Sequence, residues 1–338
     1  IGAPLIGILA SFREQFGIDE VTFHKRTPLL TYRSKVTVLG QKGARLCVDK
    51  ERWQSFKEMG MEPRYEAEEA IDRANVVIDC TPAGNENKHG IYTRYANNGR
   101  GFIAQGSELG FGKMYAHGIN DKALDHKTDH FIQVASCNTH NLAVLIDTIA
   151  LGPEKEDSLE EGRFVCIRRA NDVSQEGEFI PAPEVGEHDD PRFGTHQARD
   201  AYYLFKTLAL DLDIYSSALK INTQYMHAIH FNLKLRRAVS LDEVKRRLES
   251  DGRIALTNKK SSAAVFSFGR DHGLFGRILN QTVIVNHSLA LKGEREVMGM
   301  CYTPQDGNSL LSSIAATLWF LYPDSCQKRL EVIKPYLF

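Results

Sequence analysis

The chain has 338 residues, of which 42% are hydrophobic, 25% charged and 9% aromatic, with 42 basic and 43 acidic side chains. That length suits about two domains at roughly 150 residues each. The formal charge of −1 excludes both a globally basic nucleic-acid binder and an acidic disordered chain. No apolar run approaches the roughly 18–20 residues of a membrane span, and no signal-peptide pattern is present. Six cysteines, at positions 47, 80, 137, 166, 301 and 326, are scattered without a CxxC pair. These features predict a cytoplasmic protein with reduced thiols, no metal site, and neither nucleic acid nor membrane as a partner.

The pattern alternates helix and strand from the first residue. Leu5, Leu9, Phe12 and Phe16 are spaced for a helix over 1–16. Glu20–His24 and Arg45–Val48 are predicted strands, Asp49–Met59 a helix with Trp53 and Phe56 on one face, and Tyr65–Arg73 a short acidic helix. Asn75–Cys80 has the Val-Val-Ile core of a buried parallel strand. A helix follows at Lys88–Asn97, strands at Gly101–Gln105 and Phe131–Ser136, then an apolar helix from about Thr139 to Leu151. Such βαβ alternation predicts an open, mostly parallel sheet. The character then changes. Phe164–Arg169, Asp213–Ile221 and Tyr225–Leu235 are predicted strands, with His227, Ile229, Phe231 and Leu233 on one buried face. Gln175–His196, rich in Pro, Gly and Asp, is expected to be a long surface loop. Leu241–Glu249 and Ser261–Arg270 are expected helices, Thr282–Asn286 a strand, and Ser309–Leu321 and Asp324–Val332 closing helices. Long strands with few helices predict an α+β unit on a mainly antiparallel sheet.

Five features carry chemistry. Cys137 lies where an apolar strand runs into a helix, and a helix N-terminus favours the thiolate, which is the nucleophile; the ordinary alternative is an inert buried thiol. His227, on a predicted strand, suits a general acid–base, though twelve histidines compete for that role. Arg168 and Arg169 end a strand and suit a phosphate or carboxylate, with Thr195 and His196 as further anion contacts; ordinary surface ion pairs are the alternative. Lys25, Arg26 and Thr27 follow the second strand of a dinucleotide-type pattern, where basic residues accommodate a 2′-phosphate. Finally, Cys80-Thr81-Pro82-Ala83-Gly84 and Gln105-Gly106-Ser107-Glu108 place small residues at strand ends, allowing close approach of a ligand.

Taken in order, Asp79-Cys-Thr-Pro-Ala-Gly84, Asn87-Lys88, Ala104-Gln-Gly-Ser-Glu108, Val134-Ala-Ser-Cys-Asn-Thr139, Arg168-Arg-Ala170, Thr195-His-Gln-Ala-Arg-Asp200 and Met226-His227 resemble archaeal-type (type II) phosphorylating glyceraldehyde-3-phosphate dehydrogenase. The likeness covers roughly residues 20 to 290 and is strongest from 75 to 140. Three departures stand out. Ile1-Gly2 resembles the tail of the family's glycine-rich turn, so the opening strand and first glycines are expected upstream of a truncated N-terminus. His140 stands where the family usually has Thr or a small residue, and Gln197 where it tends to have a second histidine.

The resemblance implies an α/β fold. A Rossmann-like nucleotide-binding domain (1–137 with about 301–338) would join an α+β catalytic domain (138–300) built on a mainly antiparallel sheet. It implies an oxidoreductase in which Cys137 and His227 act on glyceraldehyde 3-phosphate, with NADP preferred over NAD and inorganic phosphate as co-substrate. Asn138, Thr139, Arg168, Arg169, Thr195 and His196 would bind substrate and phosphate. Ile1, Gly2, Lys25, Arg26, Thr27, Thr81, Pro82, Gly106 and Gln305 would bind the cofactor, with Ser107 and Asn308 as further contacts. A homotetramer is implied as well. The alternatives are a related semialdehyde or acyl-phosphate reductase, a phosphate-independent aldehyde dehydrogenase, and a non-catalytic paralogue serving as a binding protein.

Overall fold

Valine- and isoleucine-rich strands too short to bury both faces alone are covered here by helices from both ends of the chain. The computed structural model describes residues 1–106, 109–152, 155–171, 177, 179–304 and 306–338, without the side chains of Asn97 and Asn98. Strands β1 (Thr22–His24), β2 (Arg45–Val48) and β3 (Tyr65–Glu66) form one sheet. Strands β4 (Val76–Asp79), β5 (Gly101–Gln105), β6 (Lys113–Tyr115) and β7 (Phe131–Val134) form another, in the order β4-β5-β7-β6. Every pair in both sheets is parallel. All five residues of β5 are buried, as a strand covered on both faces requires.

The covering helices are short. Helix α1 (Gly2–Ser11) breaks at Phe12 into α2 (Arg13–Phe16), and α3 (Arg33–Gln41), α4 (Trp53–Glu58), α5 (Ala67–Arg73) and α6 (Gly84–Gly90) alternate with the strands. Helix α7 (Cys137–Leu145) continues as a π-helical turn through Ile146–Leu151. It leads into an eight-stranded sheet. Its strands are β8 (Leu159–Arg168), β9 (Glu184–Val185), β10 (Ile214–Lys220), β11 (His227–Leu235), β12 (Ile254–Thr257), β13 (Thr282–Val285), β14 (Ala290–Lys292) and β15 (Glu296–Thr303). The order is β12-β13-β15-β11-β8-β10-β9, with β14 on β15. Only the β8–β10 and β12–β13 pairs are parallel, so the sheet is mainly antiparallel. Along β11 the buried positions are His227, Ile229, Phe231, Leu233 and Leu235. The apolar ones pack with α7 and with α8 (His196–Lys206) in one core, each contributing about 1.5–3 kcal/mol. Helices α9 (Leu241–Ser250) and α10 (Ser262–His272) cap the far edge. Helix α11 (Asn308–Leu321) then returns to β5 and α1, and α12 (Cys326–Leu330) follows. No described helix is long and apolar enough to cross a membrane.

The fold class follows the sequence expectation, while several elements differ. Tyr65 and Glu66, expected in a helix, pair with Cys47 and Val48 as a strand; the tertiary ladder overrides helix propensity there. The helix expected at Lys88–Asn97 instead begins at Gly84 and gives way to a 3₁₀ segment, Tyr92–Asn98. Helix α3 was not foreseen because only Val36 and Leu39 are buried on it. The end of the predicted loop at His196 is the start of α8. Strand β15 was missed because its buried positions are Val297, Gly299, Cys301 and Thr303, which dilutes the apolar alternation. A side chain at Gly299 would stand 2.9 Å from Phe231.

Gly101 shows how tightly α11 packs on β5. A Cβ there would lie 2.3 Å from the Phe320 ring on α11. Gly101→Ala is therefore expected to destabilise the protein by about 1–3 kcal/mol through overpacking. Urea denaturation would measure this, and an unchanged midpoint would show that α11 shifts freely.

Candidate active site

Parallel strands place all their C-terminal ends on one edge of a sheet, and this edge collects the small residues the sequence singled out. After β4, the Asp79 carboxylate accepts the Thr81 N–H (2.8 Å), the Asn87 Nδ2–H (2.7 Å) and the Tyr92 hydroxyl (2.9 Å). The buried acid thus fixes the turn carrying the exposed Thr81 and Pro82, and burial, then the Asp79 carboxylate, hold the Tyr92 hydroxyl in its protonated form. Its role was missed, although an Asp two residues before a turn N–H is a known local signal. The N-terminus of α1 abuts the same turn: a Cβ on Gly2 would stand 3.6 Å from that of Cys80. Ile1, Gly2, Thr81 and Pro82 therefore come together.

After β5, Gly106 has φ +88°, and among the described residues beyond its chain neighbours nothing lies within 4 Å of where its Cβ would be. Its carbonyl accepts from Gln133 Nε2 at 3.1 Å. After β1, Lys25 is half-buried with its ammonium 4.4 Å above the Tyr32 ring. Burial, and then Lys35, lower its pKa, so added negative charge would be favoured there. Arg26 and Thr27 are exposed beside it. Ser107 and Gln305 lie outside the described residues.

After β7 the chain turns into α7, and Cys137 is its first residue. The Ser136 hydroxyl caps the helix, facing the Thr139 N–H (3.4 Å) and hydroxyl (2.8 Å). Cys137 is half-buried. By contrast, burial pushes the thiols of Cys47, Cys166 and Cys301 up to about 12, leaving them protonated at neutral pH.

Asn138, the neighbour of Cys137, connects to the strand facing His227. Asn138 and Thr139 are both buried. The Asn138 side-chain Oδ1 accepts the Thr303 hydroxyl at 3.0 Å, and Thr303 accepts from Asn141 Nδ2 at 3.0 Å. Thr303 stands directly opposite His227 in the β11–β15 ladder. Neither Thr303 nor Asn141 carried a recognisable signal in the sequence. The His227 Nδ1 accepts the Arg169 backbone N–H at 3.0 Å, so the neutral ring carries its proton on Nε2.

The two arginines diverge. Arg169 is buried and donates to the Tyr225 carbonyl at 2.8 Å, where Tyr225 holds a left-handed φ of 83°. Arg168 is exposed and lies near His196, whose pKa is lowered chiefly by burial and further by Arg168. His196 is the first residue of α8, so its backbone N–H joins those at a helix N-terminus, a ready anion site. The Thr195 hydroxyl is occupied inside, with Gln197 Oε1 (2.5 Å) and Ser216 Oγ (2.7 Å). Among the described residues no group of three His, Cys, Asp or Glu side chains is placed to hold a metal ion.

His140 is fully buried three residues beyond the thiol, and burial pushes its pKa from 6.5 down to about 4. The native state therefore binds fewer protons than the unfolded chain between these values, and stability falls as pH drops through that window. At pH 5 the loss relative to neutral pH is about 2 kcal/mol. A His140→Gln variant should lose less stability than wild type between pH 7 and 5, read by urea denaturation at both values. Equal losses would show that the imidazole charges freely in place.

No family model matches the chain. It is 30% identical over 264 residues to the glyceraldehyde-3-phosphate dehydrogenase of Sulfolobus acidocaldarius, covering 75% of this chain and 72% of that protein. The enzyme of that name from Hyperthermus butylicus is 30% identical over 281 residues, 80% and 75% of the two chains. That of Methanobacterium formicicum is 28% identical over 265 residues, 74% and 71%.

Proposed function

The chain belongs to the glyceraldehyde-3-phosphate dehydrogenase family in its archaeal form, and we propose that it oxidises glyceraldehyde 3-phosphate to 1,3-bisphosphoglycerate. The co-substrates are a nicotinamide dinucleotide, preferably NADP, and inorganic phosphate, and the route is a thioester on Cys137. The observation that carries this reading is Cys137 at the start of α7, joined by Asn138 and Thr303 to the strand that bears His227.

The residues present fit a dinucleotide. Among the described residues beyond its chain neighbours, none stands within 4 Å of where a Gly106 side chain would begin. Asn308, buried on α11, has an Oδ1 without a hydrogen-bond partner among the described residues, while its Nδ2 donates to the Cys137 carbonyl at 2.7 Å. That oxygen suits a carboxamide N–H. Ile1, Gly2, Thr81 and Pro82 would meet the diphosphate, and Lys25, Arg26 and Thr27 a 2′-phosphate, with Gln305 as a further contact. When bound, the nicotinamide supplies the hydride acceptor the oxidation needs.

The chain's own residues do the rest. The Cys137 sulfur adds to the aldehyde carbon. His227 keeps its proton on Nε2 and donates a hydrogen bond to the oxyanion that forms as the thiolate adds, since Nδ1 already accepts the Arg169 N–H; the oxyanion returns to a carbonyl, as the thioester, when the hydride leaves the carbon. The thioester is cleaved by phosphate oxygen, releasing the thiolate. Arg168 and His196 would bind phosphate at the α8 N-terminus. Asn138, Thr139, Thr195 and Arg169 shape that site through their internal bonds. The same reading includes a homotetramer working in the cytoplasm.

Reduction of NADP that depends on both glyceraldehyde 3-phosphate and phosphate is the decisive assay; turnover without phosphate would overturn the phosphorylating step. Cys137→Ser should lose more than 99% of the rate at unchanged thermal stability, because a hydroxyl is far less acidic than a thiol. A serine variant keeping a tenth of the rate would remove Cys137 from this role. His227→Asn is expected to lower kcat by about 10²–10³-fold; an unchanged kcat would move the oxyanion contact to His196 or His230. Replacing Lys25 and Arg26 by Ala should raise KM for NADP about tenfold, roughly 1.4 kcal/mol, and leave KM for NAD nearly unchanged. Equal losses for both cofactors would mean that these side chains only support the loop.

A further inference from the structure

Both carbonyls flanking Cys137 are held from the same helix. The Cys137 carbonyl accepts from Asn308 on α11. The Ser136 carbonyl accepts twice from His140: from its backbone N–H at 2.9 Å, the first α-helical bond of α7, and from its ring Nδ1 at 3.0 Å. The other ring nitrogen, Nε2, meets the hydroxyl of Ser312 at 2.7 Å. Ser312 lies one turn beyond Asn308 on α11, and its oxygen also accepts the backbone N–H of His117 at 3.0 Å.

The donors in this chain are determined. A carbonyl only accepts, so the Nδ1 carries the hydrogen. Nε2 is then an acceptor, and the single proton of Ser312 points to it. Both side chains are fully buried, so each bond is made in a setting where an unmade one would cost about 1–3 kcal/mol. The helix already satisfies the Ser136 carbonyl once. A buried imidazole is therefore not needed to satisfy it, and what the second bond adds is orientation.

We propose that His140 is a positioning residue for Cys137: through Ser312 it ties the Ser136 carbonyl to α11 and so fixes the peptide that aims the thiol. The proposal rests on the reading of Cys137 as nucleophile. The Ser136–Cys137 peptide sets the direction of the first backbone N–H of α7 and of the Cα–Cβ bond that carries the sulfur. A small tilt there moves the sulfur against an aldehyde held by other elements, and misplacement of about 1 Å costs on the order of 10²-fold in rate.

The test uses the full chain with its cofactor and four variants: His140→Thr, His140→Asn, Ser312→Ala and the His140→Thr/Ser312→Ala double. The readouts are kcat, KM for the aldehyde, melting temperature, and the rate of iodoacetamide labelling at Cys137 followed by peptide mass. His140→Thr and Ser312→Ala are each expected to lower kcat and labelling about tenfold, with KM changed less than twofold. The double variant should be no worse than either single, since both cut one chain. His140→Asn, whose Nδ2 stands where Nδ1 stood, should restore at least half of the labelling rate. Wild-type kcat and labelling in His140→Thr, whatever its melting temperature, would overturn the proposal and leave His140 as packing. An asparagine variant no better than threonine would overturn it too. If His140→Thr does not fold, Ser312→Ala decides alone by the same criteria. Cys137→Ser, run beside them, separates the two readings. An active serine variant sinks the nucleophile; an inactive one beside a wild-type-like Ser312→Ala sinks only the positioning role.

Discussion

The peptide between Ser136 and Cys137 is the point on which the rest of the site depends. It ends a parallel strand and begins a helix, so its groups belong to both elements. One side of it is fixed by the ladder of β5 and β7, the other by the capping Ser136 hydroxyl. A strand-to-helix junction gives a side chain the field of a helix N-terminus and the rigidity of a sheet together. A cysteine on a surface loop would have neither.

From that junction, order spreads by short side-chain bonds rather than by apolar packing. Asn138 reaches Thr303, and Thr303 faces His227. His227 takes the N–H of Arg169, whose guanidinium in turn holds the Tyr225 carbonyl. His227 and Tyr225, two residues before its strand, are thus both bound to Arg169, just past the end of β8. In a buried setting such bonds are strong and directional, so they fix where these side chains stand. The apolar core, which takes in Leu142–Leu145 of α7, supplies bulk stability instead of alignment.

Much of this was legible in the sequence because short apolar strands alternate with helices, and because the ends of parallel strands are where ligands meet such sheets. Asn75–Cys80, Gly101–Gln105 and Arg45–Val48 differ from the observed strands by at most one residue at each end. The candidate thiol and imidazole could be picked out from their positions at element boundaries. What was not legible depends on partners distant in sequence. Thr303 sits on a strand whose alternation is blurred by Gly299, and its importance comes only from facing His227. Tyr65 and Glu66 have no local reason to be extended until β2 lies beside them. Arg168 and Arg169, adjacent in the chain, look like a pair in the sequence, whereas one ends exposed and the other buried.

The polar face of α11 has a consequence for how the molecule is made. Asn308 and Ser312 lie 171 and 172 positions beyond the residues they hold, Cys137 and His140. Contacts so far apart close late, because the intervening chain must be brought together first. On a ribosome emitting residues in order, at about 5–20 per second, the turn bearing the thiol emerges many seconds before its clamp. Until α11 docks, that cysteine belongs to a helix whose first carbonyls are only partly held. The turn bearing the thiol is therefore laid down early and finished late, and the thiol gains its final aim only as one of the last helices settles.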